Sequence, residues 1–296
     1  MAHPLFERLL LPVADEEDAQ ATVDAVKPYV EAAASDVIVL HITETSDDSG
    51  REDQKCADAV YAPFIDTLDS ESVTVETIHR DASDPFAEIA AVADEIEATL
   101  IGVLPRPRTI FLRMLSREQT TTLISSTDVP VVVFPDHDQS AGPSFRLGHI
   151  DTAWTTALLV PLGGSERSFE ALEFACSAYT DATITALHVI VPPDTDVYST
   201  ITPGVSKQLE ETQRERERES EEIIEEAKKR AEHHGVELQT RTITGDVADG
   251  IVAAAETQPT DAIVVGTKLD SNSDRPQLGS VLRQLIRNAP VPVIII

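Results

Sequence analysis

The sequence is short of several things, and each shortage closes off a class of protein. It has two cysteines, Cys56 and Cys176, too few for a disulfide framework; they read as small buried residues in a reducing, cytoplasmic compartment. Its longest apolar runs are five or six residues, far below the roughly 20 that a membrane-spanning helix needs. The opening Met1-Ala2-His3-Pro4 has neither the basic flank nor the apolar stretch of a secretory signal. Lysine is scarce: it supplies 6 of the 23 basic residues, against 52 acids, for a formal net charge of -29. The excess acid is no local tail, because residues 1–148 carry 28 acids and 10 bases and residues 149–296 carry 24 and 13. Such a surface suits a protein kept soluble in concentrated salt, where self-repulsion is screened over a few ångströms; an ordinary acidic cytoplasmic protein is the alternative. It also lacks the cations that would replace phosphate counterions, which excludes non-specific nucleic-acid binding and makes an acidic membrane surface an equally poor partner.

Familiar catalytic signatures are missing too. There is no Gly-x4-Gly-Lys-Ser/Thr phosphate loop and no Gly-x-Ser-x-Gly nucleophile elbow. No Cys/His/Asp spacing matches a metal cage, and His233-His234 reads as a solvated helix end. No residue stands out as a general base for hydrolysis, which counts against efficient catalysis; the reading is of a protein that is not an enzyme, with slow hydrolysis as the alternative.

What the chain does have is internal repetition. Leu9-Leu10-Leu11-Pro12-Val13 answers Leu158-Leu159-Val160-Pro161-Leu162, and Val37–Ile42 answers Ile184–Val189, with His41 and His188 at equivalent places. Asp84 answers Asp246, Leu100-Ile101-Gly102 is matched with Val264-Val265-Gly266, and Val129–Val133 answers Val291–Ile295. The offset between copies grows from 149 (Pro12 to Pro161) to 162 (Pro130 to Pro292), so the second copy holds an insert of about a dozen residues. Short apolar runs predict strands near 156–162, 183–190, 236–243, 261–266 and 291–296 in the second copy, and the stretches between predict helices near 165–179, 206–233, 247–257 and 280–288. Asp84 before Pro85, Asp246 and Ser280 are helix-start signals. This β-α alternation predicts an α/β fold: two tandem Rossmann-like domains, each an open five-stranded parallel sheet with helices on both faces. The boundaries are 1–135 and 153–296, with a polar linker at 136–152. The insert, Gln213–Glu222, predicts a solvated, salt-laced helix with pairs Glu210–Arg214, Glu225–Lys229 and Glu226–Arg230; only its later part, with Ile223, Ile224, Ala227 and Ala231, offers an apolar stripe.

In an open parallel sheet, ligands bind at the carboxyl ends of the strands where chain order reverses. In the second copy those turns are Pro161-Leu162-Gly163-Gly164-Ser165 and Gly266-Thr267-Lys268-Leu269, followed by Gly279-Ser280-Val281 at the mouth of a helix. Bare amides and the positive end of the helix dipole would suit an anion there; a tight turn with a serine cap is the alternative. His41 and His188 suggest a shared packing or hydrogen-bonding role. Arg106, Arg108, Arg113 and Arg117 form a basic island that suits either a phosphate-bearing ligand or the neutralisation of nearby acids.

A strand ending in Val-Pro, a second ending in Leu-His-Val, Gly-Asp opening a helix, and Gly-x2-Leu-x9-Gly-Ser before a closing Val-Pro-Val strand together resemble the universal stress protein (UspA-like) family. The resemblance covers both copies. It implies a stress-response module that binds an adenine nucleotide, ATP or another, with or without Mg2+, in its second domain, acting as a sensor. The implied site residues are Pro161, Leu162, Gly163, Val189, Val265, Gly266, Lys268, Gly279, Ser280 and Val281. The pattern departs from ATP-binding members where an aspartate is replaced by Gly163 (Ala14 in the first copy) and where the middle glycine of Gly-x2-Gly-x9-Gly-Ser/Thr is Leu269. The first copy keeps Gly102 and Ser116 but has Pro105 and Leu115 between. A nucleotide-free interaction scaffold is therefore the competing reading. The family's final strand makes a dimer, so Val129–Phe134 and Val291–Ile296 are expected to self-associate, within one chain or between two, and a last strand ending at Ile296 without a polar tail suits such an interface.

Overall fold

Consecutive burial along the strands sets the architecture. Leu9, Leu10 and Leu11 are fully buried, as are Val37–Leu40 and Ala262–Val264. Successive strand side chains point to opposite faces, so these runs are covered on both sides. The computed structural model of the chain describes residues 7–33, 36–44, 53–68, 73–104, 123, 127–135, 157–192, 203–266 and 279–296. The linker, the basic island, Lys268 and Leu269 lie outside them.

The chain separates into two compact units, Met1–Thr155 with Thr267–Ile296, and Thr156–Gly266. The first runs β1 (Arg8–Val13), α1 (Glu16–Ala33), β2 (Asp36–Glu44), α2 (Asp53–Leu68), β3 (Thr74–Ala82), α3 (Pro85–Glu95), β4 (Leu100–Val103) and β5 (Val131–Val133). The second runs β6 (Ala157–Pro161), α4 (Glu166–Ala178), β7 (Thr183–Ile190), α5 (Pro203–His233), β8 (Gln239–Thr244), α6 (Val247–Thr257) and β9 (Ala262–Val265). The last helix, α7 (Ser280–Asn288), and strand, β10 (Val293–Ile295), belong by compactness to the first unit. Its strand order is β3-β2-β1-β4-β5-β10; that of the second unit is β9-β6-β7-β8. Strands β1 to β5 are parallel, as are β6 to β9, while β10 pairs antiparallel with β5, Ile294 opposite Val132. Antiparallel pairing lets the final strands of the two copies occupy each other's open edge within one chain.

Local chemistry explains the helix starts. Asp84 Oδ1 accepts from the amides of Phe86 and Ala87 at 3.1 and 3.2 Å, and Asp246 Oδ1 does the same for Ala248 and Asp249 at 3.0 and 3.1 Å. Ser280 departs from its expected role: it is the first helical residue of α7, and Gly279 stands in the cap position. On α5, Ser220, Ile223, Ile224, Ala227 and Ala231 are buried while most of its earlier described side chains are exposed, so the helix docks through its later half as the stripe predicts. Glu210–Arg214 and Glu226–Arg230 pair at 3.8 and 3.0 Å, but Glu225 pairs with Lys228 at 2.7 Å instead of the expected Lys229.

Strand register corrects one match between the copies. Leu10 lies beside Ile101 in the first unit, and its counterpart Leu159 lies beside Ile263 in the second. Three residues on, the counterpart of Gly266 is thus the buried Leu104 rather than Gly102, at the same offset of 162 that relates Pro130 to Pro292. Gly102 is a packing glycine, because a Cβ there would sit 2.6 Å from Leu11 Cδ2 and 3.0 Å from Phe134 Cε2.

Candidate functional site

Strand β6 ends at Pro161, and the chain reverses through Leu162, Gly163 and Gly164 before Ser165 caps α4. The backbone of Leu162 is held at both groups: its N–H donates to the Leu187 carbonyl at 2.8 Å, and its carbonyl accepts from His188 Nδ1 at 2.7 Å. His41 reaches the Val13 carbonyl from Nδ1 in the same way at 3.4 Å. These equivalent histidines fix the strand end from which each turn departs, which is the shared hydrogen-bonding role their positions suggest. Gly164 has a left-handed φ of +76°, which favours glycine there, and a Cβ would also lie 2.9 Å from the Ile223 Cδ1 methyl of α5. Gly163 is exposed, with nothing within 4 Å of where a Cβ would stand.

The helix-start amides are handled differently in the two copies. In the first, Asp15 Oδ1 accepts from Asp18 N and Asp18 Oδ2 reaches back to the Ala14 amide, both at 2.9 Å, in a closed reciprocal cap built on a buried carboxylate. In the second, Ser165 Oγ accepts from Ser168 N at 3.3 Å, but the Ser168 hydroxyl donates to the Ser165 carbonyl at 2.7 Å. A hydroxyl used as a donor leaves no carboxylate turned back on the turn. The turn is also one residue longer: Ala14 alone separates Val13 from Asp15, whereas Gly163 and Gly164 separate Leu162 from Ser165. Among the described residues no protein group accepts from the Gly163 or Gly164 amide.

The remaining expected site residues divide by burial. Val189 and Val265 are each 8 % exposed and face the core, so only their backbones are offered to a ligand. Gly266 is enclosed: a Cβ would meet the Arg167 carbonyl oxygen at 1.9 Å, because the first turn of α4 crosses directly over it. Gly279 and Ser280 are exposed, with Val281 half-buried. At Gly279 a Cβ would meet nothing within 4 Å, no side chain among the described residues caps α7, and its first turn carries no acid. Helices α3, α4 and α6, by contrast, are each capped by their own Asp or Ser.

Two features, one at the β1–α1 turn and one at the β6–α4 turn, escape motif reading. One is the Asp18 cap, which only the comparison of the two helix starts exposes. The other is Arg230 on α5, which holds Glu166 from two nitrogens at 2.8 and 3.1 Å, Glu226 at 3.0 Å and Glu173 at 3.3 Å, with its guanidinium 4.4 Å from the Phe169 ring centre. The i,i+4 spacing flags the Glu226 contact, but nothing local flags Glu166, which is 64 residues away. The bond from Arg230 holds the Glu166 carboxyl below the ordinary glutamate range. Among the described residues no group of three or more metal-ligating side chains is found, and no helix is long and apolar enough to cross a membrane.

Comparison with known proteins agrees with this architecture. The model of the universal stress protein family matches residues 5–135 and 155–296. A universal stress protein of Methanocaldococcus jannaschii is 32 % identical over 142 residues, covering 47 % of this chain and 80 % of that one. The crystal structure of a universal stress protein from Archaeoglobus fulgidus covers 97 % of both chains at 17 % identity and TM-score 0.58. That of a functionally unknown protein from Pseudomonas aeruginosa covers 99 % of this chain and 93 % of its own at 15 % identity and TM-score 0.53.

Proposed function

Since the chain belongs to the universal stress protein family, we propose that its second copy binds an adenine nucleotide and acts as a cytoplasmic sensor rather than a catalyst. In this reading the domains are 1–135 and 153–296, joined by the linker at 136–152. The residues that the family resemblance implies for the ligand are Pro161, Leu162, Gly163, Val189, Val265, Gly266, Lys268, Gly279, Ser280 and Val281. The observation that carries the proposal is the asymmetry of the helix mouths: Asp18 closes the first-copy turn, whereas the Gly163 and Gly164 amides and the start of α7 have no such cap among the described residues. Uncapped amides at the positive end of a helix favour a phosphate. A micromolar site needs about 8 kcal/mol, and charge-assisted hydrogen bonds contribute roughly 1.5–3 kcal/mol each, so a few such amides with Lys268 suffice.

The proposal is tested by titration calorimetry with ATP and Mg2+. One site per chain is expected, lost in Gly279→Asp, which would install at α7 a side-chain cap of the kind not found there among the described residues. No heat at millimolar nucleotide would overturn it in favour of the nucleotide-free scaffold. That second reading draws support from Gly266, whose missing side chain is already accounted for by the crossing of α4.

A further inference from the structure

We infer that Arg230 is a positioning residue for the second copy's ligand turn, acting by drawing the Glu166 carboxylate away from the mouth of α4; the inference rests on the nucleotide reading above. Glu166 is the first residue of α4, two positions past Gly164, so its carboxylate competes with any anion for the positive end of the helix. Both of its oxygens are instead taken by Arg230, Oε1 at 2.8 Å and Oε2 at 3.1 Å. The guanidinium is not free to swing: it is also bound to Glu226 and Glu173, lies against Phe169, and its side chain is 21 % exposed. Helix α5, which carries Arg230, meets the same turn a second time through Ile223 against Gly164. In a chain of net charge -29, this arrangement keeps one like charge away from the mouth of α4.

The experiment measures ATP affinity by calorimetry at low salt for four proteins, with circular dichroism to check folding. Against wild type, Arg230→Met is expected to weaken binding about tenfold, as one unmasked like charge a few ångströms from a phosphate would, with the deficit shrinking as KCl is raised. Glu166→Gln alone is expected to bind as wild type does, because its charge is already withdrawn. The double variant Arg230→Met/Glu166→Gln is expected to recover wild-type affinity, which it would not do if Arg230 only docked α5. Wild-type affinity in Arg230→Met, no recovery in the double variant, or a marked tightening in Glu166→Gln would each overturn the inference while leaving nucleotide binding intact. Should Arg230→Met fail to fold, the Glu166→Gln result decides alone. Absence of binding by the wild type would overturn both readings.

Discussion

A methyl group added at Gly266 would meet the Arg167 carbonyl oxygen at 1.9 Å, whereas one added at Gly279 would meet nothing within 4 Å. Backbone cannot yield as a side-chain tip can, so Gly266→Ala should cost about 3 kcal/mol or more of stability, and Gly279→Ala less than about 1 kcal/mol. Denaturant unfolding of the two variants checks this, and equal losses would contradict the account. A titrating side chain gives a second test at this scale. Burial, and then the charge of Asp58, pushes the Tyr61 hydroxyl up to about 12 from 10.0, while it donates to the Ile78 carbonyl at 2.9 Å. The unfolded chain therefore releases this proton first. Stability from Tyr61 is complete below pH 10 and is lost as pH rises towards 12. Cys176, pushed up by burial to about 11 from 9.0, adds a loss of the same sign starting lower. Unfolding midpoints across that range should fall less steeply in Tyr61→Phe than in wild type; parallel curves would argue against it.

The two halves of α5 differ in burial among its described side chains. Its later half is clamped by Ile223, Ile224, Ala227 and Ala231, all 8 % exposed or less, and by Arg230, while Glu210 to Glu219 has only side chains that are exposed or half-buried. Amides at 210–219 should exchange with solvent well ahead of those at 223–231; uniform protection along the helix would show that its charged half is docked as well. That division was legible because an apolar stripe on a helix is a local pattern. The caps Asp84 and Asp246 were legible for the same reason, since an Asp and the two or three residues after it contain the whole device. Strand β4 was not. Leu100–Leu104 is apolar throughout, so sliding it by two residues against its counterpart costs nothing in a sequence match, and only pairing with β1 shows that Leu104, not Gly102, stands where Gly266 does. The extra turn residue beside Gly164 and the reach of Arg230 to Glu166 were hidden likewise, because both depend on what packs across the turn.

For the molecule as a whole, duplication was the most readable property, because two α/β copies repeat at the level of whole strands. The two apolar final strands pointed to a shared end but left open whether they would meet within one chain or between two: β10, from the second copy, pairs with β5 of the first. Charge also acts at this scale. With 52 acids against 23 bases, mutual repulsion weakens the compact state until salt screens it. The thermal midpoint should therefore rise substantially between 0.1 and 2 M KCl, in sucrose-matched controls that hold other solvent effects constant; a flat or falling midpoint would contradict the salt-adapted reading. The proposed function rests on the contrast between the copies, one turn closed by Asp18 and the other leaving its glycine amides without an acceptor among the described residues. A crystal structure of the chain grown with ATP tests that contrast most directly. The account predicts one nucleotide per chain, its phosphates bonded to the amides of the second copy, with the Asp18–Ala14 cap undisturbed. A nucleotide at the Ala14 turn, or none at saturating ATP, would contradict it.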